Sequence, residues 1–292
     1  MSFMSSGIRY MVYSTLCYAL LNVCVKFLPN IPSAELIFFR SLISGSICLF
    51  YLWRFNIPVF GKNKPVLVAR GIFGVLALLL YFSTLQEIPL ASAVTIQYLS
   101  PIFTTALATV FLNEKTTPKQ WAFFMLSLMG VFLIKGWDER IPFEYLLIGI
   151  GGAVFSGLAY NAVRKLNTSE HALVIILYFP LVAIPVTGMY SIMHWVWPVG
   201  WQEWALVLAM GLFTQGGQVY MTKAIQQEEL ADITYINYLG VFYALGLGYF
   251  FFDETYGLWS FAGMTLVMLG VVLNLRFSHK KRKRKKALEA QN

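Results

Sequence analysis

The sequence repeats itself at a fixed offset of 140 residues. Residues 86–114, QEIPLASAVTIQYLSPIFTTALATVFLNE, return at 226–254 as QQEELADITYINYLGVFYALGLGYFFFDE. The register holds without a gap from Gly71/Gly211 to Leu133/Leu273, with 16 identities over 63 positions, among them Tyr98/Tyr238, Glu114/Glu254 and Gly130/Gly270. Whatever this chain folds into must therefore be built from two similar units, and each unit must bury its apolar surface partly against the other.

The solvent for that fold is set by composition. With 58% hydrophobic and 12% charged residues and a mean hydropathy of +0.64, the chain lies far from the roughly one-quarter charged content of soluble domains. Ten apolar runs reach about the 20 residues needed to cross ~30 Å of hydrocarbon: 8–28, 34–53, 66–85, 90–112, 120–136, 145–165, 172–195, 204–223, 230–252 and 258–277. Short connections with turn formers separate them, such as Pro29-Asn30-Ile31-Pro32, Ile88-Pro89 and Thr117-Pro118. All eight tryptophans fall at the ends of these runs, where an amphipathic indole meets the membrane interface. Cys17, Cys24 and Cys48 lie inside apolar runs without metal-ligand spacing and read as small packing residues. The first run carries Asn22 and Lys26 and lacks a small-residue cleavage motif, so it is expected to be a mature first span.

Lysine and arginine set the orientation. Eighteen fall on the side shared by both termini and three (Lys26, Lys135, Arg140) on the other, with Arg40 inside the second span. By the positive-inside bias both termini are expected in the cytoplasm. The seven consecutive basic residues Lys280, Lys281, Arg282, Lys283, Arg284, Lys285 and Lys286 read as a disordered tail that marks topology and attracts anionic inner-leaflet lipid, and not as a nucleic-acid contact. The expected division is 1–140, 141–279 and the basic tail 280–292.

Five spans per unit is an odd number, so the second unit enters the membrane from the opposite side. The expected fold is all-α: ten transmembrane helices in two inverted five-helix repeats. Such repeats characterise secondary transporters, which open to either side by exchanging the conformations of two similar halves around a central site.

Polar groups inside spans are costly and face a cavity or a partner helix. The matched pairs Gln97-Tyr98 and Asn237-Tyr238 interrupt the fourth and ninth runs. The eighth carries Gln215 and Gln218, where the third has Val75 and Leu78. These six residues, with Asn22 on the first span and Tyr160 and Asn161 on the sixth, are the candidate substrate-binding residues. Lys26, Glu35 and Arg40 are expected in a gate or ion pair, Glu35 being the candidate partner of Arg40. Glu114 and Glu254, at the ends of the fourth and ninth spans, read as capping or pairing groups. No carboxylate falls at mid-span, no metal cluster or catalytic motif is visible, and nothing implies a cofactor.

Several motifs carry a family resemblance. Glu35, Phe39 and Arg40 open the second span, Pro-Leu-Ala-Ser-Ala (Pro89 to Ala93) leads into the fourth, Ser-Pro-Ile-Phe (Ser100 to Phe103) follows, and Leu112, Glu114 and Lys115 end it. Together with ten spans in two repeats, they resemble the EamA-type members of the drug/metabolite transporter superfamily. The resemblance implies a basket of helices whose third, fourth, eighth and ninth spans surround a central cavity. In the second half Gly240-Val241 stands where the first has Ser100-Pro101, which removes the basis for expecting both repeats to kink alike. The expected function is transport of a small organic metabolite, amino-acid-like, nucleoside-type or vitamin-like. Phosphate-rich solutes are not favoured, since Arg40 is the one basic group read as lying inside a span. Alternatives are a non-transporting scaffold or receptor, or an intramembrane lipid-modifying enzyme.

Overall fold

The computed structural model of the protein describes residues 6–111, 117–136, 138–166, 169–227 and 236–289. These are helical almost throughout: α1 (Ser6–Lys26), α2 (Ser33–Arg54), α3 (Lys64–Glu87), α4 (Leu90–Gln97), α5 (Ser100–Phe111), α6 (Pro118–Lys135), α7 (Phe143–Leu166), α8 (Ala172–Met193), α9 (Gly200–Gln227), α10 (Leu239–Phe252) and α11 (Leu258–Glu289). α4 and α5 are one span broken at Tyr98-Leu99, so the helices make ten spans. Seven are long and apolar enough to cross a membrane by length and composition: α1, α2, α3, the composite Leu90–Ala108, α7, α8 and residues Leu258–Lys280 of α11. α6, α9 and α10 complete the ten. Glu114, Trp137 and the first residues of the ninth run, with Asp232, Thr234 and Tyr235, lie outside the described residues.

Local chemistry sets the helix ends. Thr117 and Gln120 close a capping box at the start of α6, with Pro118 at its first position. Pro32 and Pro89 precede α2 and α4 in the same extended conformation, φ −53°, ψ 139° and φ −55°, ψ 139°. α8 tolerates Pro180 and Pro185 in its interior, as membrane helices do when neighbours satisfy the freed carbonyls. Large apolar side chains such as Phe50, Ile192, Met193, Phe250 and Leu258 stand exposed on the outside of the bundle, the arrangement a lipid solvent favours.

Helix pairing exposes the inverted repeat. α1 packs on α9, and their repeat counterparts, α7 and α3, pack on each other; α2 meets α8 and α6 meets α11, each helix against its own counterpart. The α6–α11 crossing shows the two-fold atom by atom. A side chain at Gly130 would strike the Gly263 carbonyl and the Val267 amide, and one at Gly270 would strike the Phe123 carbonyl and the Ser127 amide. Residues 263 and 267 are 123 and 127 shifted by 140, so the contact is self-complementary, as across a symmetric dimer interface.

Three expectations change. The second repeat breaks where the first does: Tyr98 (φ −70°, ψ 0°) follows α4 and Tyr238 (φ −70°, ψ −12°) precedes α10. The break therefore does not depend on Pro101. Gly240 is small for another reason, because a side chain there would collide with the Tyr98 hydroxyl. The basic run is not a disordered tail: α11 continues through it to Glu289, consistent with the good helix propensity of Lys, Arg, Ala and Leu. Arg70, counted among the charges at span ends, sits six residues inside α3, ~9 Å from its start.

Candidate functional site

The two broken spans meet at the centre of the bundle. The Tyr98 hydroxyl donates to the Asn237 backbone carbonyl at 2.5 Å, and the Tyr98 and Tyr238 rings lie 5.3 Å apart. Beside them Gln97 Nε2 donates to Ser156 Oγ on α7 at 2.8 Å, while Gln97 Oε1 is buried without a partner among the described residues. On α9, Gln215 Oε1 accepts from Ser44 Oγ at 3.2 Å and Gln218 Oε1 is buried without a partner among the described residues. Unsatisfied amide oxygens at this depth cost free energy unless a ligand or water serves them.

The remaining candidates divide. Asn22, on α1, lies close to the Tyr81 hydroxyl of α3, which places it beside the first repeat's own helices. Asn161 Nδ2 donates to the Thr104 carbonyl at 2.9 Å and the Gly157 carbonyl at 3.2 Å, joining α7 to α5, and its Oδ1 is buried and unpaired. Tyr160 keeps 51% of its surface accessible although it lies within electrostatic range of Tyr18, Arg70 and Tyr98, on three other helices. Tyr98 touches Asn237 and Tyr238, whereas Gln97 turns toward α7 and Gln215 toward α2. A separate surface cavity of about 310 Å3, lined by Asn30, Ser33, Ser83, Gln86 and Tyr145 among others, contains none of these groups.

Glu35 and Arg40 do not pair. Glu35 Oε2 accepts from the Val196 amide at 3.0 Å, and Arg40 Nε donates to Thr214 Oγ1 at 2.9 Å. Five residues apart on a helix, the two side chains leave it about 140° apart in direction. Lys26 does form an ion pair, with a carboxylate of the second repeat. Its Nζ lies 2.9 Å from Glu254 Oε1 and donates to the Ile88 carbonyl at 2.6 Å. The other oxygen of Glu254 accepts from the Leu90 amide at the start of α4 (2.8 Å) and from the Tyr256 hydroxyl (2.6 Å), and that hydroxyl accepts from the Ala91 amide (3.0 Å). Burial and the adjacent Glu254 carboxylate push the Tyr256 phenol above its ordinary range, so it stays a donor. A carboxylate at a helix start is favoured by the helix dipole. One side chain of the second repeat thus ties down α1 and α4 of the first.

Sequence reasoning missed Tyr18, Arg70, Tyr81, Ser156 and Phe179. Arg70 was detectable from its place four residues beyond the start of the 66–85 run; the aromatic residues carry no such signal among so many others.

An all-helical bundle of two inverted halves, with broken helices and unpaired amides where the halves meet, has the construction of a membrane transporter. Comparison with known proteins gives the same class. Residues 5–136 and 143–276 match the EamA-like transporter family, and the chain belongs to it. It is thus a multi-pass membrane transporter and not an enzyme. It is 30% identical over 277 residues to the pseudopaline exporter CntI of Pseudomonas aeruginosa, covering 92% of this chain and 95% of that one. It is 25% identical over 283 residues to mouse solute carrier family 35 member G1, covering 90% and 76%. A crystal structure of a 19% identical protein superposes with a TM-score of 0.64 over 94% of this chain and 98% of that one, which speaks to the fold alone.

Proposed function

We propose that the protein is a secondary transporter that moves a small organic metabolite across the cytoplasmic membrane by alternating access, with both termini in the cytoplasm. The observation that carries this reading is the contact of Tyr98 with Asn237 and Tyr238, at equivalent breaks of two inverted repeats. Tyr98 lies about eight residues into its span from one side and Tyr238 as far from the other, so both fall near the middle of ~30 Å of hydrocarbon. A solute bound there borders both halves, and rocking one against the other exposes it first to one side and then to the other. Gln97, Gln215, Gln218, Asn22, Tyr160 and Asn161 supply the neutral hydrogen-bonding wall.

Orientation rests on charge. Without Arg70, 17 of the 18 basic residues remain on the terminal side against three, and Lys280 to Lys286 extend that bias toward anionic inner-leaflet lipid. The Glu254 latch then lies at the outer end, and likeness to a pseudopaline exporter supports outward movement. Solute counterflow in proteoliposomes tests the proposal. Vesicles with the protein should exchange at least one metabolite of a mixed internal pool faster than empty vesicles; no exchange of any would overturn it.

A further inference from the structure

Two arginines share one aromatic ring inside the bundle. The Arg40 guanidinium, from α2, lies 5.3 Å from the centre of the Phe179 ring, and that of Arg70, from α3, lies 5.6 Å from it. Packing holds Phe179 between them. A side chain at Gly71 would meet Val182 and the Tyr178 carbonyl of α8, and one at Gly74 would meet the Phe179 ring at 2.9 Å and Arg70 Nη1 at 3.2 Å. The absent side chain at Gly74 is thus the notch that receives the ring edge and the guanidinium.

Donor accounting shows what is missing. Arg40 is 8% exposed and spends Nε on Thr214, leaving Nη1 buried and unpaired. Arg70 Nε and Nη1 are also buried, and among the described residues neither they nor Arg40 Nη1 has a partner. Among the described residues no carboxylate lies within ion-pair distance of either; the two ion pairs join Lys26 to Glu254 and Arg140 to Asp138. Two like charges in electrostatic contact with three idle donor nitrogens are costly in a low-dielectric interior unless an anion joins them. Cation–π contact offsets only part of that cost.

We propose that Arg40 and Arg70, braced on Phe179, form an anion subsite of the transport cavity that takes a carboxylate of the solute. Two planar guanidinium forks match the two oxygens of a carboxylate, and the Tyr18 and Tyr160 hydroxyls, in electrostatic range of Arg70, add neutral donors beside it. The proposal rests on the transport reading and narrows its substrate class: the solute carries a carboxylate at one end and is held by the amides and tyrosines near Tyr98 and Tyr238 at the other.

The test uses full-length protein in proteoliposomes loaded with an equimolar mixture of carboxylate metabolites, their neutral amides and inorganic phosphate, with efflux read by mass spectrometry. Carboxylates should leave faster than their amides and faster than phosphate. Arg70→Gln should slow carboxylate efflux about tenfold or more, the loss expected of charge-assisted bonds, and slow any amide efflux by less. Thermal stabilisation of purified protein by succinate, but not by succinamide, should disappear in Arg70→Gln and in Arg40→Gln, each checked for monodispersity. If Arg40→Gln fails to fold, Arg40→Lys, which keeps charge and loses the fork, should still weaken succinate stabilisation. Efflux confined to amides, preferential efflux of phosphate, or carboxylate efflux unchanged in Arg70→Gln would each overturn the subsite and leave the transport reading standing. Absence of efflux of any solute, with succinate stabilisation intact, would overturn transport and keep the anion site.

Discussion

Tyr98 and Tyr238 occupy the same place in the two repeats, adopt nearly the same backbone angles, and face each other at 5.3 Å across the junction of the halves. Tyr98 reaches across to the Asn237 carbonyl and needs the missing side chain of Gly240 to do so. The two-fold of the scaffold thus carries through to the two tyrosines at its centre.

The α6–α11 crossing depends on closeness at both of its related points. Leucine at Gly130 or at Gly270 drives a side chain into backbone on the facing helix. Each substitution should destabilise the bundle by at least about 1–3 kcal/mol, the usual cost of overpacking. Thermal midpoints of Gly130→Leu and Gly270→Leu should fall together and by similar amounts; a fall in only one would mean that the two-fold does not hold at this crossing.

The Lys26–Glu254 pair should hold the outer end closed. Both side chains are nearly buried, 12% and 8% exposed, and removing one partner of such a pair costs about 3–5 kcal/mol because the other charge is left unmatched. A cysteine placed at Ser92 should react faster with an impermeant thiol reagent in Glu254→Gln than in the parent. The double variant Lys26→Met with Glu254→Gln should be more stable than the summed single effects; strict additivity would mean that the ion pair does not couple the repeats.

Asp138 and Arg140 make a second contact at the end of the bundle that holds Glu254, 2.8 Å between Arg140 Nη2 and Asp138 Oδ2, with Arg140 also bonded to the Thr255 carbonyl at 2.7 Å. Hydrogen bonds from Arg140 hold the Asp138 carboxyl below its usual range. Its stabilising contribution is then full above the ordinary aspartate value of about pH 4 and fades as pH falls through the depressed value. Thermal midpoints of the parent should drop more steeply below pH 4 than those of Asp138→Asn. Parallel curves would remove Asp138 from the acid sensitivity.

Topology gives a sharper outcome. Cysteine at Glu139 should label from outside the cell and cysteine at Lys62 only after permeabilisation. The reverse pattern would invert the assignment of every loop.

The frame was legible in the sequence because it depends on properties that survive any detail of packing: apolar run length, an odd span number and a 140-residue register. The candidate site was read from in-span polarity. Gln97, Tyr98, Gln215 and Asn237 stand out because a polar group in an apolar run has no cheap surface position. Ion-pair partners did not follow. Glu35 looked like the partner of Arg40 by sequence distance, whereas helix geometry points them apart, and Glu254 reaches Lys26 across 228 positions of chain. Arg70 was hidden by its closeness to the basic span end, and its meaning depends on Phe179 arriving from α8, a contact no local pattern encodes.

The most direct measurement is equilibrium binding of whichever metabolite counterflow identifies, to the parent and to Gln97→Leu, Gln215→Leu and Asn237→Leu, each shown to fold by its thermal transition. If the solute sits between the repeats, each variant loses a neutral hydrogen bond worth about 0.5–1.5 kcal/mol, and Kd rises several-fold in each. Parental affinity in all three would contradict the central site and reduce these amides to helix-packing groups.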